Sequence, residues 1–175
     1  MKKSQSGFTL VELVVVILVL GILSATALPR FMNISQQAHN ATVAGVGGGF
    51  ASGTALARAQ WIANGSVTAV NAVSNFGNGN VSVNTSGWPV NTGSVLASTG
   101  GHETACKNIW EGIMQNPPSV QISDGSAITA DYVVAVYTSD TIASTLTGCT
   151  YQYQAEKSQA IIYNATDGTV TISQP

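Results

Sequence analysis

Gly7-Phe8-Thr9-Leu10-Val11-Glu12-Leu13 opens a run of 21 residues, Phe8 to Leu28, that holds one ionisable side chain, Glu12. A helix rises ~1.5 Å per residue, so such a run spans about the ~30 Å hydrocarbon core of a bilayer. A carboxylate within it costs roughly 2.5–3.5 kcal/mol at the helix centre on insertion scales, and less near the interface. Glu12 sits near the start, where its charge is tolerable without a role. The functional reading gives it a cationic partner inside an apolar assembly. An α-amino group is the obvious candidate, if the mature chain begins at Phe8.

The residues upstream, Met1-Lys2-Lys3-Ser4-Gln5-Ser6-Gly7, are basic and polar and end in glycine. Gly7-Phe8-Thr9-Leu10-Val11-Glu12 resembles the prepilin cleavage and methylation motif of type IV pilins and their secretion-system relatives. Gly precedes Phe, Glu is the fifth residue after the cut, and Pro29 follows the apolar helix where that family usually has its first proline. The resemblance implies that a membrane-embedded prepilin peptidase cuts after Gly7 on the cytoplasmic side and N-methylates Phe8. It also implies that Glu12 pairs with the Phe8 amino group of a neighbouring subunit, two opposite charges relieving each other's desolvation. A rival reading exists. Lys2-Lys3, the apolar Leu13 to Leu23 and Ala25-Thr26-Ala27 also fit a secretory signal peptide that releases a soluble domain at Leu28. Glu12 counts against it, because the apolar region of such a signal lacks charge.

With 175 residues the chain suits one domain of ordinary size plus an N-terminal helix. Apolar residues make up 45% and charged residues 8%, against ~25% charged in typical soluble domains. Gly, Ser, Thr and Asn dominate after residue 62, yet aromatics and Val/Ile runs remain to build a core, which fits an extracellular β-rich surface and not a disordered tail. Without residues 1–7 the basic side chains are Arg30, Arg58, Lys107 and Lys157, against eight Asp/Glu. That acidic balance argues against nucleic-acid binding, whose affinity comes mostly from cations on phosphates.

The helix is expected to continue from Phe8 to about Trp61. Val43, Val46, Phe50, Ala57 and Trp61, with Thr54 between, recur on one face, while Asn33, Ser35, Gln36, Gln37, His39 and Asn40 are polar. Pro29 removes a backbone hydrogen bond and should kink or loosen this helix. Gly45, Gly47, Gly48 and Gly49 each cost ~1 kcal/mol against Ala in a helix interior. A phosphate loop is ruled out, since no strand precedes them and no Lys-Ser/Thr follows. Two readings remain: a sheet packed closely on a bare helix face, or a segment that stretches under tension. Asn64-Gly65 ends the helix. Residues 65–103 read as a long connection with a short strand at Val81-Ser82-Val83. Cys106 to Met114 reads as a short helix with Cys106, Ile109, Trp110 and Ile113 on one face, stopped by Asn116-Pro117-Pro118. Strand signals follow at Tyr132–Tyr137, Thr150–Gln154, Ala160–Tyr163 and Thr169–Ser173, the last two joined around Asp167-Gly168. This makes an antiparallel sheet of about four strands.

Cys106 and Cys149 enclose 42 residues. In an exported chain an even pair reads as a disulfide, worth up to ~4 kcal/mol on the chain-entropy model. A zinc site would need more ligands than the nearby His102 and Glu103 supply. No nucleophile elbow occurs, His39 and His102 are far apart in sequence, and Asp124, Asp131 and Asp140 are too widely spaced for a calcium loop. The Asn-x-Ser/Thr triplets at Asn33, Asn40, Asn64, Asn80, Asn84 and Asn164 are what an Asn/Ser/Thr-rich chain produces by chance. No catalytic residue, metal or cofactor is therefore expected.

A narrower resemblance spans the second half. Phe50 to Gly65, Gly87-Trp88-Pro89, Cys106 with Trp110, Gln115-Asn116-Pro117-Pro118 and Cys149 to Tyr153 look like pilins of the mannose-sensitive haemagglutinin (MSHA) type. Those belong to type IV pili of aquatic Gram-negative bacteria and mediate surface attachment and biofilm formation. The resulting expectation is an α+β, type IV pilin-like fold, a long N-terminal helix packed on a small antiparallel sheet. Residues 1–7 are the leader, 8–29 the transmembrane and filament-core helix, 30–64 its outer half, and 65–175 the head. The implied partners are further copies of the chain and minor pilins, the prepilin peptidase, an inner-membrane assembly platform, and a surface receptor or glycan. The chain would sit in the inner membrane before joining an extracellular filament. A pseudopilin of a type II secretion system is the alternative.

Overall fold

The computed structural model describes residues 7–93, 101–136 and 147–174. The leader residues 1–6, residues 94–100 of the long connection, Tyr137, Asp140 and the side chain of Asn33, all used above, lie outside the described residues. The chain divides into two compact units, Met1–His39 and Asn40–Pro175, and helix α1, Leu10–Ala63, contributes to both.

In the first unit no described residue covers the apolar part of the helix. Every residue from Phe8 to Leu28 is exposed except Ala27, which is half-buried. The helix continues through Pro29. The Thr26 hydroxyl donates to the Leu23 carbonyl at 3.0 Å, so this polar group is satisfied within the helix.

In the second unit α1 becomes one-sided. Val43, Phe50, Thr54, Ala57 and Trp61 are buried and Val46 is half-buried, the stripe that helical periodicity predicts. Thr54 is tolerated there because its hydroxyl donates to the Ala51 carbonyl at 2.8 Å. The helix closes in a Schellman motif: Ser66 N–H reaches Trp61 O at 3.3 Å and Gly65 N–H reaches Ile62 O at 2.9 Å. Gly65 holds the left-handed position, φ +70°.

Strands β1 (Val81–Val83) and β2 (Pro89–Thr92) pair antiparallel, with a register shift between Ser82 and Val83. Helix α2 (Gly101–Ile113) follows. A five-stranded sheet then runs in chain order: β3 (Val120–Ile122), β4 (Tyr132–Val136), β5 (Gly148–Tyr153), β6 (Ala160–Asn164) and β7 (Val170–Ser173). β3 and β4 are parallel, and the remaining pairs are antiparallel. The architecture is α+β and type IV pilin-like.

The core joins α1, α2 and the sheet through aromatic rings. Phe50 of α1 lies 5.6 Å from Trp110, 5.4 Å from Tyr151 and 5.5 Å from Tyr163, centroid to centroid. Trp110 stacks on Tyr151 at 4.5 Å. These large side chains bury much apolar area, and their polar ends find partners. Tyr151 Oη donates to Cys106 O at 2.8 Å, Tyr163 Oη to Pro89 O at 2.9 Å, and Trp110 Nε1 to Pro118 O at 2.9 Å. A smaller cluster gathers Trp61, Val73 and Val83 with Val70 and Phe76.

Several local expectations shift. The sheet has five strands, one of them parallel. β3 escaped notice because three residues with two apolar side chains are too few to show alternation. β2 was hidden in the long connection, its Pro89 standing at the first position of a strand, where a missing N–H is tolerated. α2 begins at Gly101, five residues before Cys106. The reading above assigns residues 101–103 to the long connection, but Glu103 favours the N-terminal end of a helix. The glycines of α1 do not act alike. A Cβ on Gly47 would lie 2.8 Å from Ile172 Cδ1, so the sheet does pack on bare helix there, whereas Gly45, Gly48 and Gly49 face open space. Gly53, which the reading above passed over, is closed off by Ile113.

Opposite signs follow for two substitutions on one helix. Gly53→Ala should destabilise the fold by roughly 1–3 kcal/mol through overpacking. Gly48→Ala meets nothing within 4 Å and should stabilise it by up to ~1 kcal/mol. Denaturant unfolding of the full chain in detergent reads both. The core also predicts alkaline lability. Burial pushes the hydroxyls of Tyr132, Tyr151 and Tyr163 above the ordinary tyrosine value, aided by nearby negative charge at Tyr132 and Tyr163. The folded chain then keeps protons that the unfolded chain loses, so stability is complete below about pH 10 and falls as the pH rises further. Tyrosinate absorbance should rise together with loss of near-ultraviolet circular dichroism in one cooperative step. Free titration of all three near their ordinary value in a folded chain would contradict this.

Candidate functional site

Gly7, Phe8 and Thr9 stand ahead of α1 without helical structure, and both Gly7 and Phe8 are exposed, Phe8 at 85%. Thr9 is the N-cap. Glu12 N–H reaches Thr9 Oγ1 at 3.2 Å, while Glu12 Oε2 accepts from Thr9 N–H at 2.9 Å and from Thr9 Oγ1–H at 2.8 Å. This is a capping box, in which residue and cap satisfy each other's free donors. The sequence carried its signal, Thr-x-x-Glu before an apolar run; the reading above considered Glu12 only as a charge in search of a cation.

The geometry divides the carboxylate. Oε2 is occupied by Thr9, while Oε1 accepts no hydrogen bond among the described residues. No cation reaches Glu12 within the described part of the chain, where the ion pair formed is Lys107–Glu111 on α2. The local bonds offset part of the cost of placing the carboxylate in an apolar medium and fix where its free oxygen lies. Among the described residues α1 is the one helix long and apolar enough to cross a membrane by length and composition. Pro29 lies inside it.

In the second unit Cys106 of α2 and Cys149 of β5 form a disulfide, with Cα atoms 5.6 Å apart and both side chains fully buried. The Cys106 sulfur is thus committed and cannot join His102 and Glu103 as a metal-binding thiolate. No group of three His, Cys, Asp or Glu side chains is placed to share a metal among the described residues.

Gly87-Trp88-Pro89 forms part of a clamp whose centre the sequence reading missed. Asn84 Oδ1 accepts from Ser86 N–H at 2.9 Å and Trp88 N–H at 3.0 Å, and Nδ2 donates to Ala165 O at 2.6 Å. Arg58 Nε donates to Ser86 O at 3.0 Å, with its guanidinium 4.7 Å from the Trp88 ring centroid. Gly168, at φ +76° in the β6–β7 turn, lies so close to that ring that no Cβ would fit. Asn84 had registered only as an Asn-x-Ser triplet; turn-forming Asn before Ser-Gly was the available signal. Beside this turn lies an open groove of about 550 Å³, lined in part by Thr147, Asn164, Thr166, Asp167, Thr169 and Thr171.

Thr9→Val removes the cap hydroxyl and should cost ~1 kcal/mol of helix stability. Amide hydrogen exchange in detergent micelles should speed up at residues 10–13 in that variant and return to its original rate in Thr9→Ser. Unchanged exchange in Thr9→Val would mean that the cap holds nothing.

Residues 2–28 match the pattern described as the prokaryotic N-terminal methylation motif. The chain is also 44% identical over 54 residues to the type IV narrow pilus major component PilA5 of Thermus thermophilus. That stretch is 31% of this chain and 47% of the relative, so the match spans about half the length of that protein. No solved structure matches. The capped glutamate, the uncovered apolar helix and these matches agree: the chain carries the N-terminal methylation motif of prokaryotic prepilins on a type IV pilin-like α+β fold.

Proposed function

We propose that the chain is a structural subunit of a type IV pilus, of the MSHA-like kind that attaches cells to surfaces and supports biofilms. The observation that carries this is the apolar segment from Phe8 to Leu28, exposed along its whole length apart from Ala27 and bearing one carboxylate held ready by Thr9. Residues 1–7 are the leader, and the prepilin peptidase reads the unstructured Gly7-Phe8 peptide, cuts after Gly7 and methylates Phe8. Residues 8–29 wait in the inner membrane, then pass through the assembly platform into a bundle with other copies and minor pilins. There Glu12 Oε1 takes the Phe8 amino group of a neighbour. Residues 30–64 form the outer half of the helix, with Pro29 as its weak point, and 65–175 the head. Contacts of this head-to-tail kind do not close on themselves and so build an open filament.

The head's low charge suits a surface that meets solvent and substratum. The hydroxyl-rich groove near Asp167 is where a glycan or other receptor group would find hydrogen-bond partners. Asp167 accepts from Thr169 N–H at 2.9 Å, which holds its carboxyl below the usual range, so it is anionic at neutral pH.

Intact mass and terminal-fragment sequencing of the mature protein test the reading. The expected chain starts at methylated Phe8; a chain starting at Leu28 would overturn it, since the helix would then be only a discarded signal. With processing confirmed, Glu12→Ala should leave the subunit in the membrane and abolish long surface fibres, because a buried ammonium would lose its partner. Normal fibres from that variant would remove the pairing. Long fibres in a strain overproducing the original chain separate a pilin from a pseudopilin.

A further inference from the structure

The sequence contains two Asn-Gly pairs, Asn64-Gly65 and Asn78-Gly79, and the fold treats them differently. An Asn followed by Gly is chemically exposed because no Cβ shields the next backbone nitrogen from the side-chain amide. Asn64 is held at both ends: Nδ2 donates to Ser74 O at 2.9 Å, and Oδ1 accepts from Gln60 Nε2 at 2.9 Å. Both asparagines are exposed, but the Asn78 side chain makes no hydrogen bond among the described residues. Gly65 and Gly79 are alike, each at φ +70° with nothing within 4 Å of where a Cβ would stand, so the side-chain bonds are what differ. The bond restraining the Gly79 nitrogen is Gly79 N–H to Phe76 O at 2.8 Å, inside a four-residue turn whose last three residues are exposed.

We propose that Asn78 is a site of spontaneous deamidation in the folded protein, while Asn64 is protected by its two side-chain hydrogen bonds. After loss of its proton to solvent base, the Gly79 nitrogen attacks Asn78 Cγ. A new C–N bond closes a five-membered imide, the bond from Cγ to the side-chain nitrogen breaks, and that nitrogen leaves as ammonia. Water then opens the ring at either carbonyl, giving aspartate or isoaspartate. Nothing is oxidised or reduced, and water is the one co-reactant. The product adds a negative charge to a chain whose formal net charge is −2. It does so one residue from Gly77, whose Cβ position lies 3.4 Å from the Gly112 carbonyl oxygen near the C-terminal end of α2. A negative charge is unfavourable at that end of a helix, so ageing loosens the turn against α2. A long-lived extracellular subunit would accumulate the change.

The proposal is independent of the filament reading and needs only the folded chain. Full-length protein in detergent is incubated at mildly alkaline pH until a urea-unfolded control has converted both Asn-Gly pairs. Peptide mapping and isoaspartate-specific methyl labelling then follow each site, with Asn78→Gln as the blank. The Asn78 peptide should gain one dalton and the label, with Asn64 slower by on the order of tenfold, since its two hydrogen bonds must break first. Equal rates at the two sites, Asn64 ahead, or conversion at neither in the folded chain would overturn it.

Discussion

A continuous apolar surface from Phe8 to Leu28 finds no partner among the described residues of its own unit, and that constraint governs the rest of the molecule. Apolar area left in water forfeits about 25 cal/mol per Å², and among the described residues of that unit nothing is laid on this part of α1. By length and composition it is apolar enough to cross a membrane, and lipid or other helices would relieve that cost. Both media are poor solvents for charge, which is why one carboxylate in the whole segment matters. Thr9 supplies the local answer, occupying one oxygen with two short hydrogen bonds. The free oxygen then offers a direction as well as a charge. A neighbour that presents an ammonium there gains a partner without first having to reorganise the glutamate.

The second unit solves a different problem with the same helix. Its small sheet has few Leu or Ile side chains to spend on a core, and large rings take their place. Phe50 sits among Trp110, Tyr151 and Tyr163, so one side chain of α1 binds α2 and two strands at once. The hydroxyls of Tyr151 and Tyr163, which would be costly if orphaned, bond backbone carbonyls across elements, Cys106 O on α2 and Pro89 O on β2, whereas the buried Tyr132 hydroxyl has no partner among the described residues. The disulfide lies against the same ring set, since Tyr151 is two residues from Cys149 and bonded to Cys106. Cross-link, ring packing and hydrogen bond thus constrain one α2–β5 junction, and no single one of them has to carry it.

The parts of this arrangement that the sequence made legible are those with a period or a local chemistry. Val43, Phe50, Thr54, Ala57 and Trp61 declared a buried stripe by spacing, and Asp167-Gly168 declared a hairpin. Cys106, Ile109, Trp110 and Ile113 did mark the inner face of a helix, though not its start. What stayed hidden depends on partners remote in sequence. β3 is a strand because β4 lies beside it, and Asn84 matters because Ala165, 81 residues away, offers a carbonyl. At the N-terminal site the omission was of another kind. The capping box was present in four letters, but the charge of Glu12 drew the reading outward to a partner before its neighbour Thr9 was considered.

The glycines of α1 show how one composition serves two ends. Gly47 and Gly53 are bare because Ile172, Ile161 and Ile113 need the space a Cβ would take; their helix-propensity cost is offset by close packing. Gly45, Gly48 and Gly49 have no such neighbour, so nothing in the packing of the described residues repays their ~1 kcal/mol each. A cost with no local return points to a use outside the isolated subunit: either backbone that another chain approaches closely, or a stretch of helix that yields under load. The two uses leave different signatures, since close approach needs the space a Cβ would take and yielding needs a weak helix. Alanine at Gly48 would crowd an approaching chain in the first case and stiffen the helix in the second. The uncompensated glycines, and not the packed ones, are therefore where the mechanics of an assembled fibre would be decided.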